Sequence, residues 1–294
     1  MKRRFFAIAV AAALLAAALI GCGKEEPAAT PEPTITPDPH EGEVQVLNGT
    51  GGYKWVKDAP NLAVFPFNPT TFNVIDQIPS YGGENLALRR GIDVSDYQGD
   101  IDWEQVADYG IEFAIIRCGY RSYGADGALK TDGHFHRNIQ GALDAGLEVG
   151  VYFFSQATSL WEAAEEAVYT IRLIENYDVT LPVFFDWENI GVDAARTDYV
   201  NGRQLTDYCV EFTKLVRSAG YEPGLYAYLD IAYDTYELNR LAGITFWMGD
   251  PGTKPIFHFD HSYWQYSYTA TVPGIEVDVD LDAMYIRATG DAVG

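Results

Sequence analysis

The chain has 294 residues, 48% of them hydrophobic, and a formal net charge of −22 at pH 7. This excess of acids excludes nucleic acid as a partner, because proteins that bind it carry a basic patch, and it excludes electrostatic adhesion to anionic lipid. The roughly 250 residues after the first 43 are enough for one large domain, which we expect to act as a monomer.

The N-terminus predicts export. Three basic residues at positions 2–4 precede an Ala- and Leu-rich run that ends at Gly21 and Cys22, a pattern typical of a signal segment. A small residue before Cys22, with Leu19 three positions upstream, resembles the lipobox of bacterial lipoproteins, whose cysteine is acylated. We therefore expect residues 1–23 to be a lipoprotein signal and Cys22 to anchor the exported protein to the membrane, facing the cell wall. The alternatives are a plain cleaved signal, which would give a secreted protein, and an uncleaved transmembrane helix, for which the run is short.

Two further segments precede the main domain. Residues 24–43 contain five prolines among Thr, Ala and Glu, a composition that cannot form a core and predicts an extended linker. Residues 44–90 are rich in Tyr, Trp, Phe and Pro and have no pattern that assigns a role. We expect this extension to pack on the main domain, at residues 91–288, or to form a small adjunct surface.

Short apolar runs alternate with helical patterns from residue 91 onward. Five helical patterns lie between the first six runs, and the last three runs follow one another without a helix. This order predicts an α/β fold, an irregular eight-stranded β/α (TIM-like) barrel with five strand-helix units followed by three strands. The alternative is an open parallel sheet, although the glycines form no G-x-G-x-x-G fingerprint. The predicted strands are 91–95, 113–120, 148–156, 182–188, 222–229, 244–250, 262–267 and 277–285.

Acidic residues lie at the ends of the predicted strands. Asp186 and Glu188 follow an apolar run and, two positions apart in a strand, lie on one face. One carboxyl can then stay protonated as a general acid while the other stays charged, the arrangement that glycoside hydrolysis needs. Barrel enzymes gather catalytic groups at one mouth. Because the first and eighth strands are neighbours in a closed barrel, Asp93 and Asp280 can converge on the same place.

Other polar residues have structural interpretations. For Asp278 and Asp282 we expect a solvated strand face or a weak calcium site. Cys118 and Cys209 have no C-x-x-C spacing, which favours two buried thiols over a disulfide. The histidines have no matching carboxylate or cysteine spacing, so we expect them to be solvated or structural, and we expect neither a bound metal nor a cofactor.

Short motifs follow one another along the whole predicted barrel. They are GIDVS and YQG within 91–99, IIR and GY within 115–120, AGL and VGVYF within 145–153, LPVFFDWE at 181–188, GY and LY within 220–226, WQYS at 264–267 and VDL at 279–281. In this order they resemble glycoside hydrolase family 25, the lysozymes that cleave peptidoglycan. The resemblance covers roughly residues 91–286.

The resemblance implies hydrolysis of the β-1,4 bond between N-acetylmuramic acid and N-acetylglucosamine in peptidoglycan glycan strands. It implies that Glu188 donates a proton, that Asp186, which we expect to stay ionised, acts beside it, and that Asp93 and Asp280 line the same site. Asp186 either attacks the anomeric carbon or orients the substrate's 2-acetamido group as that group attacks, and both routes retain configuration. We favour the acetamido route, because the D-x-E placement resembles other substrate-assisted glycosidases and muramic acid carries the N-acetyl group.

Side chains at the strand ends are candidates for binding the glycan. Aromatic rings stack on the apolar faces of sugars, while phenol and amide groups satisfy hydroxyls. For any one of them core packing is the alternative, because periodicity without the register does not say which face is inward. Arg117 is a candidate for the lactyl or peptide carboxylate of muramic acid, with a structural salt bridge as its alternative. The other candidates are Tyr120, Tyr152, Phe154, Tyr226, Trp247, Gln265 and Tyr266.

Two other functions also fit the sequence. One is a catalytically weak, lipid-anchored protein that binds the cell wall, although the retention of every acid argues against it. The other is a hydrolase of chitin-like chains of N-acetylglucosamine. Activity on purified peptidoglycan and on chitin oligomers distinguishes the three.

Overall fold

A computed structural model of the protein describes residues 38–192 and 194–288. The predicted signal, the lipidation motif at Cys22 and most of the linker lie outside these residues. From residue 40 onward the described residues belong to one compact unit. The α-helices are α1 (Trp103–Asp108), α2 (Phe135–Asp144), α3 (Leu160–Ile174), α4 (Gly202–Ser218) and α5 (Leu229–Asp234). The strands are β1 (Glu43–Leu47), β2 (Tyr53–Lys57), β3 (Phe72–Ile75), β4 (Ile78–Tyr81), β5 (Leu86–Val94), β6 (Phe113–Arg121), β7 (Leu129–Thr131), β8 (Glu148–Phe154), β9 (Val183–Asp186), β10 (Pro223–Tyr228), β11 (Thr245–Gly249), β12 (Tyr263–Ala270) and β13 (Val279–Arg287).

Eight of these strands close into a barrel, which confirms the predicted fold. Around the barrel the order is β5, β6, β8, β9, β10, β11, β12 and β13, and β13 pairs back with β5. The pairs from β5 to β12 are parallel, whereas β13 runs antiparallel to both of its neighbours. The five helices lie between the first six barrel strands, and the last three strands follow without one. The first barrel strand begins at Leu86, so it crosses the domain boundary expected at residue 91.

Local sequence signals start the helices. The side chain of Asp102 accepts a hydrogen bond from the backbone N–H of Gln105 at the start of α1. Asn201 and Gln204 form a reciprocal capping box at the start of α4. Such caps satisfy backbone N–H groups that have no partner within the helix.

The core has an inner and an outer layer. Alternate residues of the barrel strands point inward and pack on one another, while the other residues face the helices. On the outer side, Phe185 of β9 meets Phe212 of α4 with ring centroids 5.4 Å apart. The buried inner layer consists of Phe113, Ile115, Leu181, Phe184, Tyr226, Trp247, Tyr263 and Met284.

The N-terminal extension packs on this barrel as two hairpins, β1–β2 and β3–β4. Val46, Phe65 and Phe72 belong to the same buried cluster as the outer barrel core. Lys54 of the first hairpin donates hydrogen bonds of 2.9 Å to both carboxylate oxygens of Asp234 in α5. The extension is therefore joined to the barrel by both apolar and polar contacts.

Cys118 and Cys209 are buried free thiols, as predicted. Burial raises the pKa of Cys118 to about 12. Cys209 is also fully buried, and burial raises its pKa above the usual range. Among the described residues there is no helix that is both long and apolar enough to cross a membrane.

Gly91 makes room for an aromatic ring inside the barrel, which generates a stability prediction. A Cβ atom at Gly91 would lie 2.2 Å from the ring of Phe113. We expect Gly91→Ala to destabilise the protein by about 1–3 kcal/mol, because an overpacked core must shift its side chains or backbone. Urea unfolding measures the change. Gly82→Ala is the control, since the nearest atom to its Cβ would be at an ordinary 3.6 Å, and equal stability of both variants would contradict the prediction.

Candidate active site

Three strands bring four of the predicted acids to one mouth of the barrel. Asp93 is the penultimate residue of β5, Asp186 is the last residue of β9, and Glu188 follows two positions later. Asp280 lies near the start of β13, directly opposite Asp93 in the β5–β13 ladder. Because β13 is antiparallel, its N-terminal end lies at the same mouth as the C-terminal ends of the parallel strands.

These acids line a cavity of about 690 Å³. Its lining also includes backbone and side chains from the loops after β5 and β9, such as Asp96, Gln98 and Asn189. A cavity of this size is in the range that holds small ligands. The predicted site residues that line it are Asp93, Asp186, Glu188, Asp280, Arg117, Tyr120, Tyr152 and Phe154.

A chain of hydrogen bonds from buried side chains holds two of the acids. The amide nitrogen of Gln265 donates to Asp93 Oδ2 at 2.6 Å and to Asp280 Oδ2 at 3.1 Å. The Gln265 carbonyl oxygen in turn accepts from the hydroxyl of Tyr226 at 2.6 Å. Gln265 and Tyr226 are both buried, so they act on the cavity through the acids that Gln265 holds.

Glu188 is held by a tyrosine that the sequence analysis did not single out. The hydroxyl of Tyr228 donates to Glu188 Oε2 at 3.0 Å. Burial raises the pKa of Glu188 above its usual range, while the Tyr228 hydrogen bond and the Arg117 cation oppose the shift. The net direction keeps a proton on Glu188 to higher pH than on a solvated glutamate, as a general acid requires.

Asp186 is 2% exposed, and its Oδ1 atom has no hydrogen-bond partner among the described residues. Burial raises the pKa of Asp186 well above its usual range, the Glu188 and Asp93 carboxyls raise it further, and Arg117 lowers it. The sequence analysis expects Asp186 to stay ionised, whereas these effects shift it toward the protonated form relative to a solvated aspartate. Like charges that lie close together cannot all ionise, so Asp186 and Glu188 compete for protons.

Asp282 is a correction to the sequence analysis. It is completely buried, and its Oδ1 atom accepts a hydrogen bond of 2.7 Å from the indole N–H of Trp247. Burial raises the pKa of Asp282 to about 8 despite that bond, and Asp282 itself raises the pKa of Asp93. Asp278 is exposed, and the part of the chain that the structure describes has no group of three His, Cys, Asp or Glu arranged to hold a metal ion. The prediction of a solvated position is therefore right for Asp278. It is wrong for Asp282, because alternation along the strand directs that side chain into the barrel.

Arg117 forms the structural salt bridge that was one of the two interpretations considered for it, and it also lines the cavity. Its Nε atom donates to Asp132 Oδ2 at 2.8 Å, and a terminal nitrogen pairs with Asp96. Its guanidinium also lies over the rings of Tyr97 and Tyr120, at 5.1 and 5.4 Å from their centroids. The salt bridges fix the cation at the wall of the cavity, where it acts on Asp186 and Glu188.

Besides Tyr226 and Gln265, two more predicted binding residues do not line the cavity. Trp247 is buried in the inner core with its N–H bonded to Asp282. Tyr266 follows the inward Gln265 and therefore faces outward, where its hydroxyl donates to the carbonyl oxygen of Gln77 in the extension at 2.9 Å. Strand alternation separates Tyr266 from Gln265, so the structure does not bring Tyr266 to the cavity.

The sequence analysis missed two exposed tyrosines at the rim. Tyr97 is 78% exposed and Tyr123 is 57% exposed, and both line the cavity. Their positions in loops gave no periodic signal. Tyr228 did have one, because it lies two residues after Tyr226 and so on the same face of β10.

Comparisons with known proteins agree with this geometry. The profile described as "Glycosyl hydrolases family 25" matches residues 92–275. The "Autolytic lysozyme" of Clostridium acetobutylicum is 24% identical over 66% of this chain and 55% of its own length, so the chain spans about half of that relative. "Lysozyme M1" of Streptomyces globisporus is 26% identical over 65% of this chain and 66% of its own length. The solved structure of a family 25 glycosyl hydrolase from Bacillus anthracis superposes with a TM-score of 0.56 at 25% identity, covering 69% of this chain and 90% of that one.

The buried acids predict how stability changes with pH. The pKa values of Asp280 and Asp282 are both raised to about 8, so at neutral pH the folded protein binds protons that the unfolded chain has released. We therefore expect the free energy of unfolding to fall as the pH rises from about 5 to 8. Asp282→Asn, which keeps an acceptor for Trp247, should reduce this slope by up to about 1.4 kcal/mol per pH unit, the value for one proton.

Urea unfolding across this pH range measures the slope. Asp278→Asn is the matched control, because it removes an exposed carboxyl just before the same strand. The prediction fails if Asp282→Asn and the unsubstituted protein show the same slope.

Proposed function

Because this chain belongs to family 25 of the glycosyl hydrolases, we propose that it is a peptidoglycan hydrolase that cleaves the β-1,4 bond between N-acetylmuramic acid and N-acetylglucosamine. The observation that carries this proposal is the placement of Asp186 and Glu188 in one cavity with Asp93 and Asp280. Two relatives that are named lysozymes support the choice of peptidoglycan. Family membership supports glycosidase activity.

Glu188 is the proton donor in this proposal. Burial raises its pKa above the ordinary glutamate value, which favours the protonated carboxyl, and the hydrogen bond from Tyr228 fixes one of its oxygens. The other oxygen is then available to protonate the glycosidic oxygen as the bond breaks. Loss of that proton leaves a carboxylate, which can accept a proton from the attacking water in the second step.

Asp186 orients the substrate's 2-acetamido group in the mechanism that we favour. The free Oδ1 acceptor of Asp186 suits the N–H of that group, whose carbonyl oxygen then attacks the anomeric carbon. The carboxylate form of Asp186 is the one that acts in this step, because its negative charge is favoured as positive charge develops on the sugar. The competing route has Asp186 attack the anomeric carbon directly, and both routes retain configuration.

Aromatic side chains form the sugar platform. Tyr120, Tyr152 and Phe154 line the cavity, and the exposed rings of Tyr97 and Tyr123 extend it at the rim. Rings at the rim stack on the apolar faces of sugars at low entropic cost. The same platform would accept chitin-like chains, which remain the second candidate substrate, and a binding protein without turnover is the third candidate function.

We propose that the protein is exported and anchored through an acylated Cys22 to the membrane, facing the cell wall, with residues 24–43 as a linker. The basic, apolar and small residues before Cys22 support this location. A substrate in the cell wall requires an exported enzyme, so the location and the proposed activity agree. A secreted form, cut by a plain signal peptidase, is the alternative.

The proton-donor role predicts a large loss of activity in Glu188→Gln. Glutamine can still accept the Tyr228 hydrogen bond but cannot donate an acidic proton, so we expect kcat to fall at least about a hundredfold with unchanged folding. Clearing of a peptidoglycan suspension measures it. Glu104→Gln, at an exposed position of α1, is the control. Full activity of Glu188→Gln would refute the assignment, and cleavage of chitin oligomers without cleavage of peptidoglycan would favour the second substrate.

The acetamido route predicts that Asp186 never bonds to sugar. Intact-protein mass spectrometry during turnover should detect no glycosyl adduct, and glycan strands whose muramic residues lack the N-acetyl group should not be cleaved. The same strands after chemical re-acetylation are the control. A glycosyl ester mapped to Asp186 would establish the direct-attack route instead.

Lipidation predicts that Cys22→Ser moves the protein out of the membrane fraction. Without the thiol there is no site for the acyl chains, so the variant should no longer partition into detergent. Phase separation with a non-ionic detergent, followed by blotting, measures the distribution. Cys118→Ser removes a buried thiol and should leave the distribution unchanged; retention of Cys22→Ser in the detergent phase would contradict the anchor.

A further inference from the structure

A second depression lies beside the candidate active site. Its volume is about 530 Å³, and it lies between the first hairpin of the extension, the start of α5 and the loops that follow β9 and β11. Residues that matter for its chemistry are Asn48, Lys54, Asn189, Tyr228, Asp250 and Tyr268. Its hairpin residues lie outside the part of the chain that the family profile matches, residues 92–275.

The depression adjoins the cavity at the proposed acid. Asn189 lines both spaces. Tyr228 lines the depression, and its hydroxyl donates at 3.0 Å to Glu188, which lines the cavity. The Glu188–Tyr228 pair therefore lies between the two spaces. When the scissile oxygen of a glycan reaches Glu188, the sugars on one side of the scissile bond lie in the cavity and those on the other side, the leaving-group arm, lie in the depression.

The positions of the acids indicate which end of the glycan lies in the cavity and which end lies in the depression. Asp93, Asp186 and Asp280 line the cavity and interact electrostatically with Glu188. The acids of the depression are Asp230 and Asp250, and Asp250 accepts a hydrogen bond from the backbone N–H of Ile256 instead. The ring that becomes positively charged during glycoside cleavage must lie among the acids of the cavity, because they stabilise that charge. The leaving sugar then lies on the other side of Glu188, in the depression.

The hairpin supplies the one cation among the described residues that line this depression. Lys54 Nζ donates to both carboxylate oxygens of Asp234 at 2.9 Å and lies 5.2 Å from the centroid of the Tyr233 ring. Its side chain remains 28% exposed. The turn next to it is fixed, because Asn48 Oδ1 accepts hydrogen bonds from the backbone N–H groups of Thr50 and Gly52. The ammonium group is thus held in place and has a third proton for a ligand.

We propose that this depression binds the leaving-group arm of the glycan and that Lys54 of the N-terminal hairpin donates a hydrogen bond to an oxygen of its acetamido sugar. Tyr228 and Tyr268 supply aromatic surface for the ring, and their own rings meet edge to face with centroids 6.0 Å apart. The extension would then be part of the substrate-binding surface. This inference rests on the proposed glycan hydrolase function.

The test compares two substrates that differ only in the leaving group. One is a soluble peptidoglycan glycan strand, whose leaving arm is sugar. The other is a peptidoglycan disaccharide ending in N-acetylmuramic acid that carries a fluorogenic aryl leaving group, which has no acetamido sugar for Lys54 to bind. With the full chain, we expect Lys54→Ala to lower kcat/KM about five- to tenfold on the glycan strand, mainly through KM, as for one ordinary hydrogen bond at a partly exposed position. Hydrolysis of the aryl substrate should stay within about twofold of the unsubstituted protein.

Two further variants separate binding from hairpin stability. Lys57→Ala removes the same charge from the same strand at an exposed position outside the depression, so it should change neither substrate. Asp234→Asn removes the ion pair but keeps the Lys54 ammonium and an amide oxygen that can accept its hydrogen bond, so it should have a smaller effect than Lys54→Ala.

The outcomes distinguish this inference from the proposed function. Equal losses on both substrates, or equal losses in Lys54→Ala and Asp234→Asn, would show that Lys54 acts only on structure and would overturn the inference. An active enzyme that Lys54→Ala leaves unchanged on the glycan strand would overturn it as well, with the proposed function intact. If the unsubstituted protein cleaves neither substrate, the proposed function fails and this inference fails with it.

Discussion

The antiparallel closure of β13 on β5 is the constraint on which the site depends. Seven parallel strands would present only their C-terminal residues at the mouth. The reversed eighth strand instead presents its beginning there, and the ladder places Asp280 opposite Asp93. Two carboxyls that are nearly two hundred positions apart in the sequence thereby share one amide, that of Gln265. Asp282, two residues further along β13, is drawn into the interior by the same alternation.

The closed barrel also sets the electrostatics of these acids. Five carboxyls, those of Asp93, Asp186, Glu188, Asp280 and Asp282, have raised pKa values, and burial is the first cause for each. Arg117 is the cation that opposes the shift at Asp186 and Glu188. A site with this excess of carboxyls retains protons near neutral pH, which suits a reaction that begins with proton donation and then stabilises a cationic sugar. The cost is paid in folding stability, because every buried carboxyl must be desolvated.

The N-terminal extension contributes to the same surface from outside the barrel. The hairpin β3–β4 packs apolar residues on the outer core, and the backbone carbonyl oxygen of Gln77 in its turn accepts a hydrogen bond from the Tyr266 hydroxyl. In the hairpin β1–β2, Lys54 pairs with Asp234. Neither hairpin of such short strands would be stable alone in water. Packing on the barrel stabilises them, and it places polar groups of the extension in the depression that adjoins the cavity lined by Glu188.

The amino-acid sequence by itself determined the number of barrel strands, the helices between them and the identity of the acids at their ends, since these follow from local periodicity and capping. It also indicated Asp186 and Glu188 as one pair, because residues two apart in a strand share a face. Only the tertiary structure decided that Tyr228 holds Glu188, that Asp282 is buried and that Tyr266 faces the extension. Those facts depend on strand register and on a bulge in β12 after Gln265, and both are set by pairing between distant segments. The packing of the extension could not be predicted either, because its residues contact parts of the barrel that are distant in the sequence.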